Sequence, residues 1–253
     1  MFEDIARLYE QTLRVPKHEV CRSACDARFK RPLLPWHIGD LYAADPRRLV
    51  IIGKPHREDE PTISRQAGTQ DGRETAERLF NTRYSSFWSY TADILSRVYG
   101  SAEDGWRRIV LTTIVKCTNA TKGADGGDTT SGLMKSSCIG TLGVIRKELG
   151  ILRPRTIVLY TGDKYDTWVP QLNWDSEQRW RDLTMRGHRV DCGGTLLHWW
   201  EGALSDRQTT VRVLRVGHPL FKPSEAYVRL LAAWLKSVGS ESAGTNEEEE
   251  ILL

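Results

Sequence analysis

Apolar residues occur along the chain in two patterns, one with helical spacing and one of short continuous runs. Helical spacing of apolar residues predicts helices at the start of the chain, over 74–80, from Phe87 to Gly100, from Cys138 to Gly150, and from Ser224 to Gly239. Short runs rich in β-branched residues predict buried strands at 49–52, 109–115, 156–160 and 211–216. Because strands alternate with helices, we expect an α/β protein with three layers, α/β/α, around a central, mostly parallel four-stranded sheet.

The predicted strands end in polar loops, which concentrates candidate chemistry at one edge of the sheet. Gly53, Lys116 and Gly217 each open such a loop. In open α/β sheets, ligands bind in the crevice beyond the carboxyl ends of the strands. We therefore expect a functional site where these three loops meet.

Composition and charge narrow the class of protein only slightly. The chain has 253 residues, of which 40% are hydrophobic, and a formal net charge of +3. The acidic run Glu247–Glu250 offsets part of the positive charge carried by the rest of the chain. That positive charge permits a nucleic-acid partner. No apolar run approaches the roughly 20 residues that span a bilayer, and the amino terminus does not resemble a secretory signal. We expect a cytoplasmic protein without a membrane partner, with one domain over 1–239 and a disordered acidic tail over 240–253.

Four of the five cysteines are spaced as candidate metal ligands. Cys21 and Cys25 are four positions apart, Cys117 follows a predicted strand, and Cys138 lies on the next predicted helix. Four thiolates brought together suit tetrahedral zinc or a [4Fe–4S] cluster, and the spacing does not separate the two. The alternative is that these are buried free cysteines. The fifth cysteine, Cys192, is not among these candidate ligands, and we expect it to be structural.

Four stretches in order resemble the active-site motifs of the uracil-DNA glycosylase superfamily, in particular its iron–sulfur branch. They are LVIIGKPHREDEP, IVLTTIVKC, CIGTLGVIRKELGILRPRTIVLYTG and RVGHPLFKP. The resemblance extends from about Cys21 to Pro223. It implies a monomeric DNA glycosylase that cleaves the N-glycosidic bond of a flipped-out base and leaves an abasic site. It also favours a structural [4Fe–4S] cluster over zinc, with Cys21, Cys25, Cys117 and Cys138 as ligands.

The resemblance also implies roles for residues near the strand ends. In the first motif, Glu58 is the preferred catalytic carboxylate and Asp59 the next, although both lie further from Gly53 than in the family. A solvated acidic loop is the alternative for these residues. A carboxylate near the sugar can stabilise an oxocarbenium-like cation or orient a water. Gly53, Pro55 and His56 would line the substrate pocket.

The resemblance also implies roles in base and DNA contact for Phe87 and for the residues of the His-Pro motif. His218, in the His-Pro motif, would stabilise negative charge on the departing base, and Phe87 would stack on the flipped base. A structural histidine and a helix-core phenylalanine are the alternatives. Leu220 and Phe221 would form a wedge in the DNA stack, with Lys222 on a phosphate, or would instead anchor the last helix.

Two departures from the family pattern bear on the substrate. Thr113 stands where the family has an asparagine that reads uracil, and Asn119 would replace it only from a different angle. The loop before Phe87 and the region before His218 are longer than in uracil-processing members. We therefore expect a modified, bulky pyrimidine, such as those in phage DNA, and a role in antiviral defence. The alternatives are a uracil-DNA glycosylase of base-excision repair, a catalytically inactive DNA-binding member, and a zinc-stabilised nucleotide hydrolase.

Overall fold

The structure is a computed structural model that describes residues 1–13, 34–55, 72–116, 130–172, 186–191, 196–205, 210–219 and 224–241. Its helices are α1 (Phe2–Leu13), α2 (Arg73–Asn81), α3 (Ser86–Tyr99), α4 (Ala102–Trp106), α5 (Gly132–Lys135), α6 (Val144–Leu152) and α7 (Ser224–Glu241). Its strands are β1 (His37–Ile38), β2 (Leu49–Gly53), β3 (Ile109–Thr113), β4 (Thr156–Leu159), β5 (Arg186–Asp191), β6 (Leu196–Ser205) and β7 (Thr210–Val216). A π-helical turn covers Ser136–Thr141, and 3-10 turns cover Tyr42–Ala44 and Asp163–Leu172.

The strands form one sheet in the order β1-β3-β2-β4-β7-β6-β5. The four predicted strands are its centre, where β3, β2, β4 and β7 run parallel to one another. The expected count of four strands is wrong, because β1, β6 and β5 add antiparallel strands at the two edges. The pair β5 and β6 lies in the long region before His218 that sequence patterning left uninterpreted. The mixed α/β class is confirmed.

The helix predicted from Cys138 to Gly150 is broken in the structure. Cys138 lies in the π-helical turn, and α6 begins only at Val144. Gly143 separates the two with a φ of 57°, a left-handed conformation that glycine adopts without a steric penalty. The end of α6 also differs, because the helix continues past Gly150 to Leu152, and Arg153 caps it in a left-handed conformation. The remaining predicted helices are present, with α7 extending two residues beyond Gly239.

Neighbouring residues of the central strands pack into two different hydrophobic cores. In β2, Val50 packs with residues of α1 and α6, whereas Ile51 packs with residues of α2, α3 and α7. This follows from the alternation of side chains along a strand, and both faces of a parallel strand are therefore apolar. The burial of all five residues of β2 agrees with this.

Candidate active site

The sheet brings the ends of the predicted strands together at one edge, as the strand order requires. Gly53 pairs with Thr113 at the ends of β2 and β3, and the N–H of Tyr160, just past β4, donates to the carbonyl of Ile52. The chain passes from β2 to β3 on one side of β2 and then to β4 on its other side. This reversal of strand order next to β2 is a topological switch point, where open α/β sheets bind ligands.

An aromatic ring and an imidazole meet at this edge. The rings of Phe87, in the first turn of α3, and His218, two residues past β7, stack with centroids 5.7 Å apart and planes 20° from parallel. Both residues are half-buried. Gly53 lies beside them, because a Cβ at that position would be 3.7 Å from the Phe87 ring. Three residues predicted to be in the site therefore come together from distant parts of the chain.

Tyr160 fixes the position of Phe87 and was not predicted as a site residue. Its ring contacts Phe87 edge-on with centroids 5.7 Å apart, and it is fully buried. Burial raises the pKa of Tyr160 well above its ordinary value, so the phenol stays neutral. On the other side, Tyr227 of α7 donates a hydrogen bond of 2.8 Å to the carbonyl of Gly217, next to His218. A tyrosine directly after a buried strand was the available sequence signal for Tyr160.

Thr113 lies on the sheet face that carries Phe87. Ile109 and Leu111 of β3 pack in the same core as α3, and Thr113 shares their face because strand side chains alternate. Thr113 is buried, with 6% of its surface exposed. Pro55 is also buried and follows β2 by two residues. A hydroxyl therefore occupies the strand position at which the family resemblance calls for an amide.

Cys138 is a buried thiol held against the end of β3. Its Sγ accepts a hydrogen bond of 3.4 Å from the backbone N–H of Lys116. Cys117, the next residue after Lys116 in the sequence, lies outside the described residues. Cys138 also lies in a π-helical turn, a rare geometry that is frequent at functional sites. A cysteine thiol is one of the side chains that can ligate a metal.

A buried ion pair lies beside Cys138 and was not predicted. The Lys116 Nζ is 2.6 Å from a carboxylate oxygen of Glu148 in α6, and the same oxygen accepts a hydrogen bond from the Tyr9 hydroxyl of α1. Lys116 Nζ also donates to the hydroxyl of Thr112. Burial lowers the pKa of Lys116, and the Glu148 carboxylate opposes this shift. The network ties α1, β3 and α6 together directly before Cys117.

The other predicted site residues lie outside the described residues. They are His56, Glu58, Asp59, Asn119, Leu220, Phe221 and Lys222, together with Cys21, Cys25 and Cys117. Within the described ranges, no three histidine, cysteine or acidic residues form a group that could hold a metal ion. In the same ranges, no helix is both long enough and apolar enough to cross a membrane.

Comparison of the sequence with models of known protein families and with curated proteins found no match to either.

Proposed function

We propose that this protein is a DNA glycosylase that cleaves the N-glycosidic bond of a flipped-out, non-standard base and leaves an abasic site. The proposal includes a three-layer α/β/α arrangement around the central strands. It builds on the resemblance of four ordered sequence motifs to the uracil-DNA glycosylase superfamily. The observation that carries it is the contact between Phe87 and His218 beside Gly53 at the switch point of the sheet.

This contact supports the proposal because the two residues have complementary tasks in base excision. An aromatic ring holds a flipped base by stacking, and an imidazole beside it can donate a hydrogen bond to negative charge on the departing base. The edge contact with Tyr160 keeps the Phe87 ring in place. Two positioned rings at a strand edge would hold the base while the glycosidic bond breaks.

The carboxylate in this mechanism would come from the loop after β2. Glu58 is the preferred candidate and Asp59 the second, since both follow Gly53 and Pro55 in the first motif. A carboxylate there would stabilise the cationic sugar or orient the attacking water. Leu220 and Phe221 would fill the gap left in the DNA stack, and Lys222 would contact a phosphate.

The substrate we propose is a bulky modified pyrimidine, which would suit a role in antiviral defence. The buried hydroxyl of Thr113 on the Phe87 face supports this choice. A hydroxyl cannot form the two parallel hydrogen bonds that an amide makes with a pyrimidine edge. Loss of that contact weakens selection for uracil, because a site built to hydrogen-bond its substrate discriminates far more strongly than one that only fits it.

A [4Fe–4S] cluster held by Cys21, Cys25, Cys117 and Cys138 is also part of the proposal. The hydrogen bond from the Lys116 N–H to Cys138 supports it, because it holds the Cys138 thiol beside the residue that precedes Cys117 in the sequence. Tyr9, near the end of α1, donates a hydrogen bond to Glu148, the ion-pair partner of Lys116. The segment that leads to Cys21 therefore leaves α1 close to Lys116. The cluster would supply structural cross-linking and no redox chemistry. The alternative is a zinc ion bound by the same four cysteines.

The experiment that tests this function measures turnover and DNA affinity separately. We expect His218→Ala to lower turnover about 10²-fold or more while nearly preserving DNA affinity, as for loss of a group that acts mainly in the transition state. His37→Gln, a histidine stacked on Trp106 at another part of the sheet, serves as the matched control and should retain full turnover.

Three outcomes distinguish the proposal from its alternatives. Release of modified pyrimidines that is about 10²-fold or more slower with His218→Ala supports it. Abasic sites formed only in uracil-containing DNA would favour the repair enzyme and contradict the modified-base substrate. DNA affinity without turnover on any DNA would identify a binding module that retains the fold.

A further inference from the structure

Arginines gather at the edge of the sheet opposite the candidate active site. Arg48 precedes β2, Arg153 and Arg155 precede β4, and Arg212 begins the part of β7 that pairs with β4. Their backbones are in direct contact, since the N–H of Arg155 donates to the carbonyl of Arg48 and the N–H of Arg212 donates to that of Arg155. We call Arg48, Arg153 and Arg155 the arginine edge.

Within the part of the chain that the structure describes, the arginine edge has no acidic ion-pair partner. Nearby arginines have partners, as in the pairs Arg107–Asp40 and Arg108–Asp104. In contrast, no carboxylate of the described residues forms an ion pair with any member of the arginine edge. Arg153 and Arg155 are exposed and Arg48 is half-buried. This edge therefore presents concentrated positive charge that an anionic group would stabilise.

Two residues of the arginine edge have an unfavourable backbone conformation. Arg48 has a φ of 38° and Arg153 a φ of 48°, in the left-handed region that favours glycine. Arg153 ends α6 at a position where glycine is the usual residue. Backbone strain of this kind persists where the surrounding structure enforces it and is common at binding sites.

Helix α7 brings the carboxyl-terminal part of the chain to this edge. The Arg47 Nε donates a hydrogen bond of 3.3 Å to the carbonyl of Leu235, so the last turns of α7 lie beside Arg48. After α7 ends at Glu241, five residues separate it from the acidic run Glu247–Glu250. A chain of six residues reaches up to about 20 Å when extended. The acidic run is therefore within reach of the arginine edge.

We propose that Glu247–Glu250 dock onto the arginine edge of the same chain and shield it from other polyanions. The charges are complementary, and the short connection keeps the acidic run at a high effective concentration near the edge. DNA phosphates that approach this side of the protein then compete with four glutamates. The docked run directs DNA to the opposite edge of the sheet, and it does so whether or not the protein excises bases.

A zero-length cross-link in the full chain tests this contact directly. Arg155→Lys keeps the charge and provides an amine that a carbodiimide can join to a glutamate carboxylate. We expect mass spectrometry to find this lysine joined to Glu247–Glu250 at least about tenfold more often than Lys164, because effective concentration favours a docked segment. Lys164 is exposed near the carboxyl end of β4 and is the internal control. Replacing all four glutamates by glutamine should remove the cross-link, and high salt should weaken it.

Two results of the cross-linking experiment would overturn the proposal. One is cross-linking of the introduced lysine at no more than the Lys164 level. The other is cross-linking only between two chains, which mixing of isotope-labelled and unlabelled protein would reveal.

Binding of a short single-stranded oligonucleotide gives a second, independent readout. The variant with the four glutamates replaced by glutamine should bind several-fold more tightly at low salt, and the gain should disappear when Arg153→Gln and Arg155→Gln are added. A gain that survives the arginine replacements would show that the acidic run acts elsewhere and would contradict the proposal.

Discussion

The ammonium of Lys116 lies 2.6 Å from the carboxylate of Glu148, with 1% and 0% of the two side chains exposed. One oxygen of the Glu148 carboxylate contacts the Lys116 ammonium and accepts a hydrogen bond from the Tyr9 hydroxyl. The other oxygen has no hydrogen-bond partner among the described residues. Neither charge has access to water. Each therefore depends on the other, and together they hold the segment before Cys117 against α6.

Removing one member of this pair should be far more damaging than removing both. Lys116→Met leaves a buried carboxylate without its counter-charge, and we expect the free energy of unfolding to fall by about 3–5 kcal/mol. The double variant Lys116→Met, Glu148→Leu leaves no uncompensated charge and should recover most of that loss. Urea unfolding of the single and double variants measures both quantities.

An exposed ion pair provides the control for this cycle. Arg97 and Glu225 are 2.7 Å apart, but 41% and 72% of their side chains are exposed. Replacing either should change stability by no more than about 1 kcal/mol. Equal effects at the buried and exposed pairs would contradict the dependence of Lys116 and Glu148 on each other.

Gly53 should tolerate one methyl group but not a large side chain. A Cβ at Gly53 would be 3.7 Å from both the Phe87 ring and the carbonyl oxygen of Thr112, which is ordinary contact. Gly53→Ala should therefore keep stability within about 0.5 kcal/mol. Gly53→Leu should displace Phe87 and slow base excision about tenfold or more, because small misplacements of positioning residues are costly. Unfolding and single-turnover rates of the two variants check this.

Gly39 is the matched control for steric tolerance. A Cβ there would overlap the backbone carbonyl of Arg107, which cannot move as a side chain can. Gly39→Ala should destabilise the protein by about 1–3 kcal/mol. A stable Gly39→Ala variant would mean that β1 does not lie this close to the turn before β3.

Stability should fall in mild acid because of His37. Burial lowers the pKa of His37 from 6.5 to about 4, and its Nε2 is 2.6 Å from the carbonyl oxygen of Trp106, to which it donates in its neutral form. The folded state resists protonation, so the unfolded chain binds more protons between pH 6.5 and about 4. The free energy of unfolding therefore decreases as the pH falls through this window, by at most about 3 kcal/mol from this group.

His37→Gln isolates this contribution. Glutamine can donate to the Trp106 carbonyl but does not titrate in this range. The difference in unfolding free energy between the two proteins should change steadily from pH 6.5 to 4 and be constant above pH 7.5. Parallel stability curves across the whole range would contradict the lowered pKa.

If the proposed [4Fe–4S] cluster is present, replacing a ligand cysteine should lower the iron content and replacing another cysteine should not. Cys138→Ser should lower the iron content well below about four atoms per chain and should remove the visible absorbance of the protein. Cys192→Ser should leave both unchanged, because Cys192 is not a proposed ligand. Equal iron loss in the two variants, or zinc in place of iron in the unaltered protein, would contradict the [4Fe–4S] proposal.

Periodicity in the sequence predicted the central part of the fold well. The parallel strands are continuous apolar runs buried on both faces, and their signal is strong for that reason. Strands β1, β5 and β6 were missed. Strand β1 has only two residues, and the charges in β5 and the paired tryptophans in β6 obscure any alternation.

The candidate site was predictable only in part. Phe87 and His218 were identified as separate candidates, but their contact depends on how α3 and β7 pack, which no local pattern encodes. Lys116 and Glu148 were missed because a lysine and a glutamate in sequence resemble ordinary surface residues. Only the three-dimensional structure reveals that they are buried together.

The most direct test of the proposed function is incubation of the purified protein with a panel of duplex and single-stranded DNAs that contain modified pyrimidines or uracil. Both products are measured, the free base by mass spectrometry and the abasic site by strand cleavage. We predict equal amounts of the two products from at least one modified-pyrimidine DNA, and a rate of formation at least about 10²-fold lower for both products with His218→Ala. Absence of both products from every DNA that the protein binds would contradict the proposal.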